Sequence, residues 1–205
     1  MKRTNVVDEL FMMKEMIELQ NTMNTKVSPS WNTMGWDWYR AMWLEAAEAV
    51  EHLPWKWWKQ GGTVDLGMLK MEIVDIWHFI LSAQIEANLT PLTFERTPAY
   101  LTKLNSLDLL AAAALRRDLE GVTRAFYSVM NAHEMDFEEL YSLYIGKNVL
   151  NMFRQDNGYK DGTYRKLWNG VEDNKQLLEA LRALEPCDDL AGNLYNKLTE
   201  MYKGE

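Results

Sequence analysis

MLKMEIVDIWHFILSA, residues 68–83, is apolar almost all round if wound as a helix, yet it carries Glu72, Asp75, His78 and Ser82 at steps of three, three and four. At about 100° per residue those steps keep the four side chains in one stripe. A helix that is otherwise buried has no ordinary place for ionised carboxylates, because burying an isolated one costs at least several kcal/mol. The stripe therefore has to face something inside the protein that compensates its charge.

The preceding helix repeats the feature. In WLEAAEAVEHLPWKWWK, residues 43–59, Glu45 and Glu48 stand three apart, about 60° on the helical wheel. Stepping from Glu45 by three, four and seven meets Trp38, Ala41, Met42, Ala49 and His52, which is no solvated stripe. A single pair of glutamates at this spacing ordinarily lies on a wet helix face. Two acidic pairs, ExxE and then ExxD, on consecutive apolar helices that can lie antiparallel instead converge on one space. Four carboxylates there call for a cation. With one cysteine and three histidines in the chain, oxygen ligation points to a hard ion, Mg²⁺ or Mn²⁺, rather than zinc. A di-iron centre would need two Glu-x-x-His pairs and two further glutamates, and only Asp75 to His78 approximates that spacing. His78 by itself reads as a core or supporting histidine.

Around these two helices apolar residues recur at three and four almost throughout, with few β-branched runs or hairpin signals, so the fold class is all-α. The spacing predicts helices over about Val7–Thr25, Asp37–His52, Leu66–Ala87, Ser106–Leu119, Val122–Asn131, Phe137–Gln155, Asn174–Leu184 and Leu190–Tyr202. Ser28, Pro29 and Ser30 break the first, Pro54 follows the second, Gly61-Gly62 precedes the third, and Asn157-Gly158 stops the long one. Asn88 to Tyr100, with Pro91 and Pro98, reads as a linker into a smaller inserted helical lobe of about 88–139. The rest, about 1–87 and 140–205, is read as the core of a single domain spanning 1–205. A length of 205 residues suits that arrangement.

Thirty acidic against 22 basic residues give a net charge of −8, which opposes a broad grip on nucleic acid. The lone Cys187, the charged N-terminal stretch and the lack of a long uninterrupted apolar run lead us to expect a cytoplasmic protein without a membrane span. Against that acidic background GKNVLNMFRQDNGYKDGTYRKLWNG, residues 146–170, concentrates positive charge. Lys147, Asn151 and Arg154 line one helix face, and Lys160, Tyr164, Arg165 and Lys166 follow in a loop where Gly158 and Gly162 let the backbone approach a ligand. Cations near a helix C-terminus complement its dipole, which accounts for Arg154 and not for Lys147 further inside. The cluster suits phosphate groups. On the first helix, in ELQNTMN, Gln20 and Asn24 stand four apart, and amides that donate and accept suit the edge of a nucleobase. Trp55, Trp57 and Trp58 offer a stacking surface, although such clusters more often serve a core or a subunit interface.

Taken together, WLEAAEAVEHLPWKWWK, KMEIVDIWHFILS, KNVLNMFRQDNGYKDGTYRKLWNGVED and LQNTMN resemble the dimeric dUTPases within the all-α NTP pyrophosphatases, the group that also holds the MazG-like enzymes. The two acidic pairs alone indicate the wider group, whereas NGYKDGTY and WNGVED are far more specific to the dUTPase branch. The resemblance implies a homodimer that hydrolyses dUTP, and often dUDP, to dUMP, limiting uracil in DNA and supplying dUMP, by attack at the β-phosphorus. It implies that Glu45, Glu48, Glu72 and Asp75 hold Mg²⁺, with Glu45 or Glu48 acting on the attacking water. Lys147, Arg154, Lys160, Tyr164 and Lys166 would bind phosphate, and Asn151 would help place the nucleotide. Gln20 and Asn24 would read uracil, with Trp57 and His78 shaping the base and sugar pocket. The inserted lobe would be mobile and close over the nucleotide. Two other readings stay open: a MazG-like nucleoside triphosphate pyrophosphohydrolase of other specificity, and a regulatory partner-binding protein, since some phage members hold a repressor.

Overall fold

The computed structural model describes residues 6–59, 64–89, 101–184 and 189–204. The expected Gly61-Gly62 break, most of the proline-containing linker and Cys187 lie outside them. The elements in chain order are α1 (Val6–Val27), a short 3₁₀ turn (Trp31–Thr33), α2 (Trp38–Glu51), α3 (Leu66–Glu86), α4 (Lys103–Leu115), α5 (Leu119–Ala132), α6 (Phe137–Asp156), β1 (Leu167–Trp168), β2 (Val171–Glu172), α7 (Asp173–Ala183) and α8 (Leu190–Lys203). The fold is all-α, as the periodicity predicts. The chain divides into two compact units, Met1–Tyr141 and Ser142–Glu205, with the boundary inside α6.

In the first unit α3 is the central helix: fourteen of its residues are buried, from Met68 to Gln84. It packs against α1, α2 and α5, and α4 packs in turn on α2 and α5. Trp77 stacks on Phe126 at 4.8 Å and 21°, tying α3 to α5. The helices of the expected inserted lobe, α4 and α5, thus share a unit with α1 to α3.

The boundary between α4 and α5 differs from the expected one. The spacing predicts a helix to Leu119, yet α4 ends at Leu115. Arg117 takes a left-handed φ of 56°, the Arg117 N–H donates to the Ala114 carbonyl, and the Asp118 N–H donates to that of Ala113. These bonds are a Schellman closure made without glycine, which removes the usual stop signal from the sequence. Asp118 then caps α5 by accepting from the Gly121 N–H at 2.9 Å, and Thr102 caps α4 through the Asn105 N–H at 3.2 Å.

In the second unit α6 closes where expected, with Gly158 at φ 89° and the Tyr159 N–H on the Arg154 carbonyl. The loop beyond contains a small hairpin that the helical reading did not anticipate. β1 pairs antiparallel with β2, Trp168 opposite Val171, across Asn169-Gly170, whose φ values of 50° and 78° are those of a type I′ turn. Trp168 is fully buried and donates its indole N–H to the Arg165 carbonyl at 2.9 Å. α7 and α8 pack on one another, with Leu177, Leu194 and Leu198 fully buried.

Candidate active site

Three groups of residues follow from this arrangement, two in the first unit and one in the second.

The first is acidic. α2 buries Trp38, Met42, Ala46 and Ala49 against its neighbours. Glu45 lies about 20° from Trp38 on the helical wheel, at the edge of that stripe, while Glu48 lies about 80° away. Glu45 is accordingly half-buried and Glu48 exposed. From α3, Glu72 is 6% exposed and Asp75 half-buried. Glu45, Glu72 and Asp75 each place a carboxylate oxygen within 4.8 Å of the others, a set able to hold a metal ion. At that separation two carboxylates repel by roughly 3–4 kcal/mol at an effective dielectric of about 20. His52, at the C-cap of α2, sets its Nε2 3.4 Å from Glu72 Oε1, and it counters charge only when protonated. Glu48 stands outside the set of three.

The second group lies one to two turns further along α3. Ser82 Oγ donates to the His78 backbone carbonyl at 2.9 Å. A carbonyl cannot donate, so the hydroxyl proton is committed and Ser82 must accept from the amide nitrogens of Gln20 at 3.0 Å and Asn24 at 2.9 Å. Gln20 Nε2 also donates to Asn24 Oδ1 at 3.0 Å, which turns Gln20 Oε1 toward His78 Nδ1 at 2.6 Å. His78 therefore carries its proton on Nδ1. Gln20, Asn24, His78 and Ser82 are all buried. Trp57 does not join this network: the residue is 88% exposed and its ring meets Trp58 edge-on at 5.4 Å.

The third group is in the second unit. Arg154 makes a forked pair with Asp173, Nε to Oδ2 and Nη2 to Oδ1, both 2.8 Å. Its Nη1 donates to Asn151 Oδ1 at 3.1 Å, and Lys147 Nζ donates to Asn174 Oδ1 at 2.8 Å. Lys147 is 2% and Arg154 9% exposed. The Tyr164 hydroxyl donates to Asp173 Oδ2 at 2.8 Å. Burial on its own would raise the Asp173 carboxyl, but the Arg154 fork, the Tyr164 hydroxyl and the Lys147 charge outweigh it and hold Asp173 below the ordinary carboxylate value. Burial, then the adjoining Asp173 charge, pushes the Tyr164 phenol far above its usual range, so it stays protonated. Lys160 and Lys166 are exposed, the latter with its ammonium 5.9 Å from the Tyr159 ring centre. A Cβ on Gly158 would fall 2.0 Å from Thr163 Oγ1, so a side chain there would displace Thr163, and the φ of 89° itself favours glycine.

A family model described as dUTPase matches residues 12–159. The chain belongs to that family. This all-α dUTPase is a dUTP diphosphatase, a hydrolase. No curated protein matches the chain. The matched segment of the dUTPase holds the acidic set, the amide network and Lys147, Asn151 and Arg154, and it ends before Lys160, Tyr164, Lys166 and Asp173. Ser82, His52, Asp173 and Asn174 complete these groups without having been singled out as site residues. Ser82 was legible as the last member of the polar stripe, and Asp173 as the acid closing WNGVED. His52 was legible only as a residue sharing the face of Glu45, seven positions on, and Asn174 gave no signal of its own. Among the described residues no helix is long and apolar enough to cross a membrane.

Proposed function

We propose that this dUTPase is an Mg²⁺-dependent enzyme that hydrolyses dUTP, and dUDP as well, to dUMP, and that it works as a homodimer. One observation carries the reading: the polar stripe of α3 serves two ends, with Glu72 and Asp75 meeting Glu45, and His78 and Ser82 meeting Gln20 and Asn24. One buried helix, α3, thus supplies two carboxylates for a hard cation and, one to two turns on, the groups that hold the α1 amides offered to a base edge.

The donor set fits the metal. Three mutually repelling carboxylates, one of them buried, are stabilised by a divalent cation, and oxygen-only donors suit Mg²⁺ or Mn²⁺. Bound there by Glu45, Glu72 and Asp75, the ion would neutralise phosphate charge and acidify water. Glu48, exposed beside the set, keeps the accessibility that a base acting on the attacking water requires. Gln20 and Asn24 are held rigid by Ser82 and His78, which favours a fixed pattern of donors and acceptors over an adaptable one, and we read this as the source of uracil selection. Lys147 and Arg154 would receive phosphate. Because Asp173 already balances one of these two charges, the exposed Lys160 and Lys166 have to supply part of the countercharge to a triphosphate. We take the chain as one catalytic domain.

The test is hydrolysis of dUTP, dUDP, dTTP, dCTP and UTP with Mg²⁺ and with EDTA. The expected outcome is Mg²⁺-dependent release of dUMP from dUTP and dUDP with the other three largely spared. In the same assay Glu72→Gln should lose at least about 100-fold in kcat/KM and lose the rise in Tm that Mg²⁺ gives the parent enzyme. Glu48→Gln should lose kcat and keep that rise. Full activity in both variants would sink the acidic-site assignment, and broad hydrolysis would move the specificity to the MazG-like reading.

A further inference from the structure

α8 lies wholly beyond the segment that the family model matches, yet one of its residues is built into the surroundings of the phosphate-binding group. The Tyr202 ring stacks on Tyr164 at 5.5 Å and 15°. Phe153 and Trp168 meet it edge-on at 5.4 and 5.2 Å, and the Arg165 guanidinium lies over its face at 4.9 Å. Its hydroxyl accepts the Arg165 backbone N–H at 3.3 Å. Tyr202 therefore holds both the residue whose hydroxyl engages Asp173 and the backbone next to it.

We propose that Tyr202 is a positioning residue for phosphate binding: stacked on Tyr164, it sets the Tyr164 hydroxyl against Asp173 and thereby fixes the plane in which Asp173 holds Arg154. The proposal rests on reading Lys147 and Arg154 as phosphate contacts. The geometry supports a relay over a simple packing role. The stack between Tyr202 and Tyr164 is nearly parallel, so sliding or tilting one ring moves the other, and the two contacts on Asp173 Oδ2, from Tyr164 and from Arg154 Nε, share one acceptor atom. A carboxylate clamped by a fork and a phenol has one favourable orientation. With the phenol displaced, the fork can swing with Asp173, and a guanidinium that swings binds an anion less well. Tyr195, seven residues earlier on α8, also meets Phe153 edge-on at 5.4 Å, but its hydroxyl goes to Asp156 at 3.0 Å. It provides a packing control on the same helix.

The experiment uses the full-length enzyme with Mg²⁺ and two competitive inhibitors, inorganic pyrophosphate, which has phosphate and no base, and deoxyuridine, which has base and no phosphate. Tyr202→Leu and Tyr202→Met are made together, so that loss of the fold in one leaves ring removal readable in the other. Both should weaken pyrophosphate inhibition and raise KM for dUTP by roughly tenfold, leave inhibition by deoxyuridine unchanged, and change kcat by less than KM. Tyr202→Phe, which keeps the stack, should recover most of the loss. Tyr195→Leu should lower Tm without altering pyrophosphate inhibition. The proposal is overturned if ring removal weakens both inhibitors alike, or if it weakens neither while Arg154→Gln weakens pyrophosphate. If Arg154→Gln also leaves pyrophosphate inhibition intact, the phosphate reading fails and this proposal falls with it.

Discussion

Ser82 holds the amide network through three hydrogen bonds on one oxygen: it donates once and accepts twice. Removing that oxygen leaves two buried amide donors without their acceptor, and each unsatisfied buried group costs about 1–3 kcal/mol. Ser82→Ala should therefore lower unfolding stability by about 2–4 kcal/mol, read from the urea midpoint at unchanged m-value. It should also raise KM for dUTP, because Gln20 and Asn24 lose their fixed orientation. A variant as stable as the parent would show that water replaces the hydroxyl. The same scale explains why Glu45 and Glu48, identical residues three apart, differ in exposure. The spacing puts them on one side of α2, but the buried stripe through Trp38, Met42, Ala46 and Ala49 runs close to Glu45 and well away from Glu48. A helical wheel gives their separation, and only the neighbours of α2 fix where the buried face is centred.

At the scale of elements, the ends of α3, α4 and α5 share a feature: each closes with a non-glycine residue in the left-handed region, Asn88, Arg117 and Glu134 at φ 51°, 56° and 55°. A left-handed conformation costs an ordinary L-residue about 1–2 kcal/mol, whereas glycine takes it freely. Glycine also loosens the unfolded chain, which offsets about 0.4–1 kcal/mol of that gain. Glu134→Gly should therefore stabilise the protein by roughly 0.5–1 kcal/mol, while Glu134→Ala should not, as measured by denaturant unfolding. These closures are why helix existence was legible and two boundaries were not. The expected helices all form, but the α4–α5 junction had no glycine to mark it, and Thr102 and Asp118 as caps were outweighed by the apolar run around them. The Asn169-Gly170 hairpin is the opposite case. Its turn signal was in the sequence, but the flanking strands are two residues each, too short for any alternation of apolar and polar residues to register.

At the scale of the whole molecule, two groups place the acid response in separate windows. His133 is buried, and burial outweighs a hydrogen bond with the Lys103 backbone and, with smaller help from the charges of Lys103 and Lys70, lowers its pKa to about 4. Between pH 6.5 and about 4 the unfolded chain binds a proton that the folded protein refuses, so stability falls as pH drops through that range and levels below it. The loss amounts to at most roughly 3 kcal/mol. Asp173 acts lower. Its depressed carboxyl contributes stability that is complete above the ordinary aspartate value and is lost as pH falls through the folded one. His133→Gln should flatten the pH 4–6.5 limb of a stability–pH curve and leave the more acid limb in place; an unchanged upper limb would assign it to another group.

The sequence by itself determined the all-α class, the two acidic pairs on consecutive helices, the basic stretch around Lys147 and Arg154, and the family they resemble, because periodicity and motif spacing are properties of neighbouring residues. Tertiary structure alone decided that Glu45, Glu72 and Asp75 converge while Glu48 faces outward, that Ser82 orients both amides, that Trp57 stands in solvent, and that Asp173 and Tyr164 grip Arg154. Those outcomes depend on the rotation of each helix against its neighbours and on protons shared between residues up to 62 positions apart. Local spacing carries no record of either.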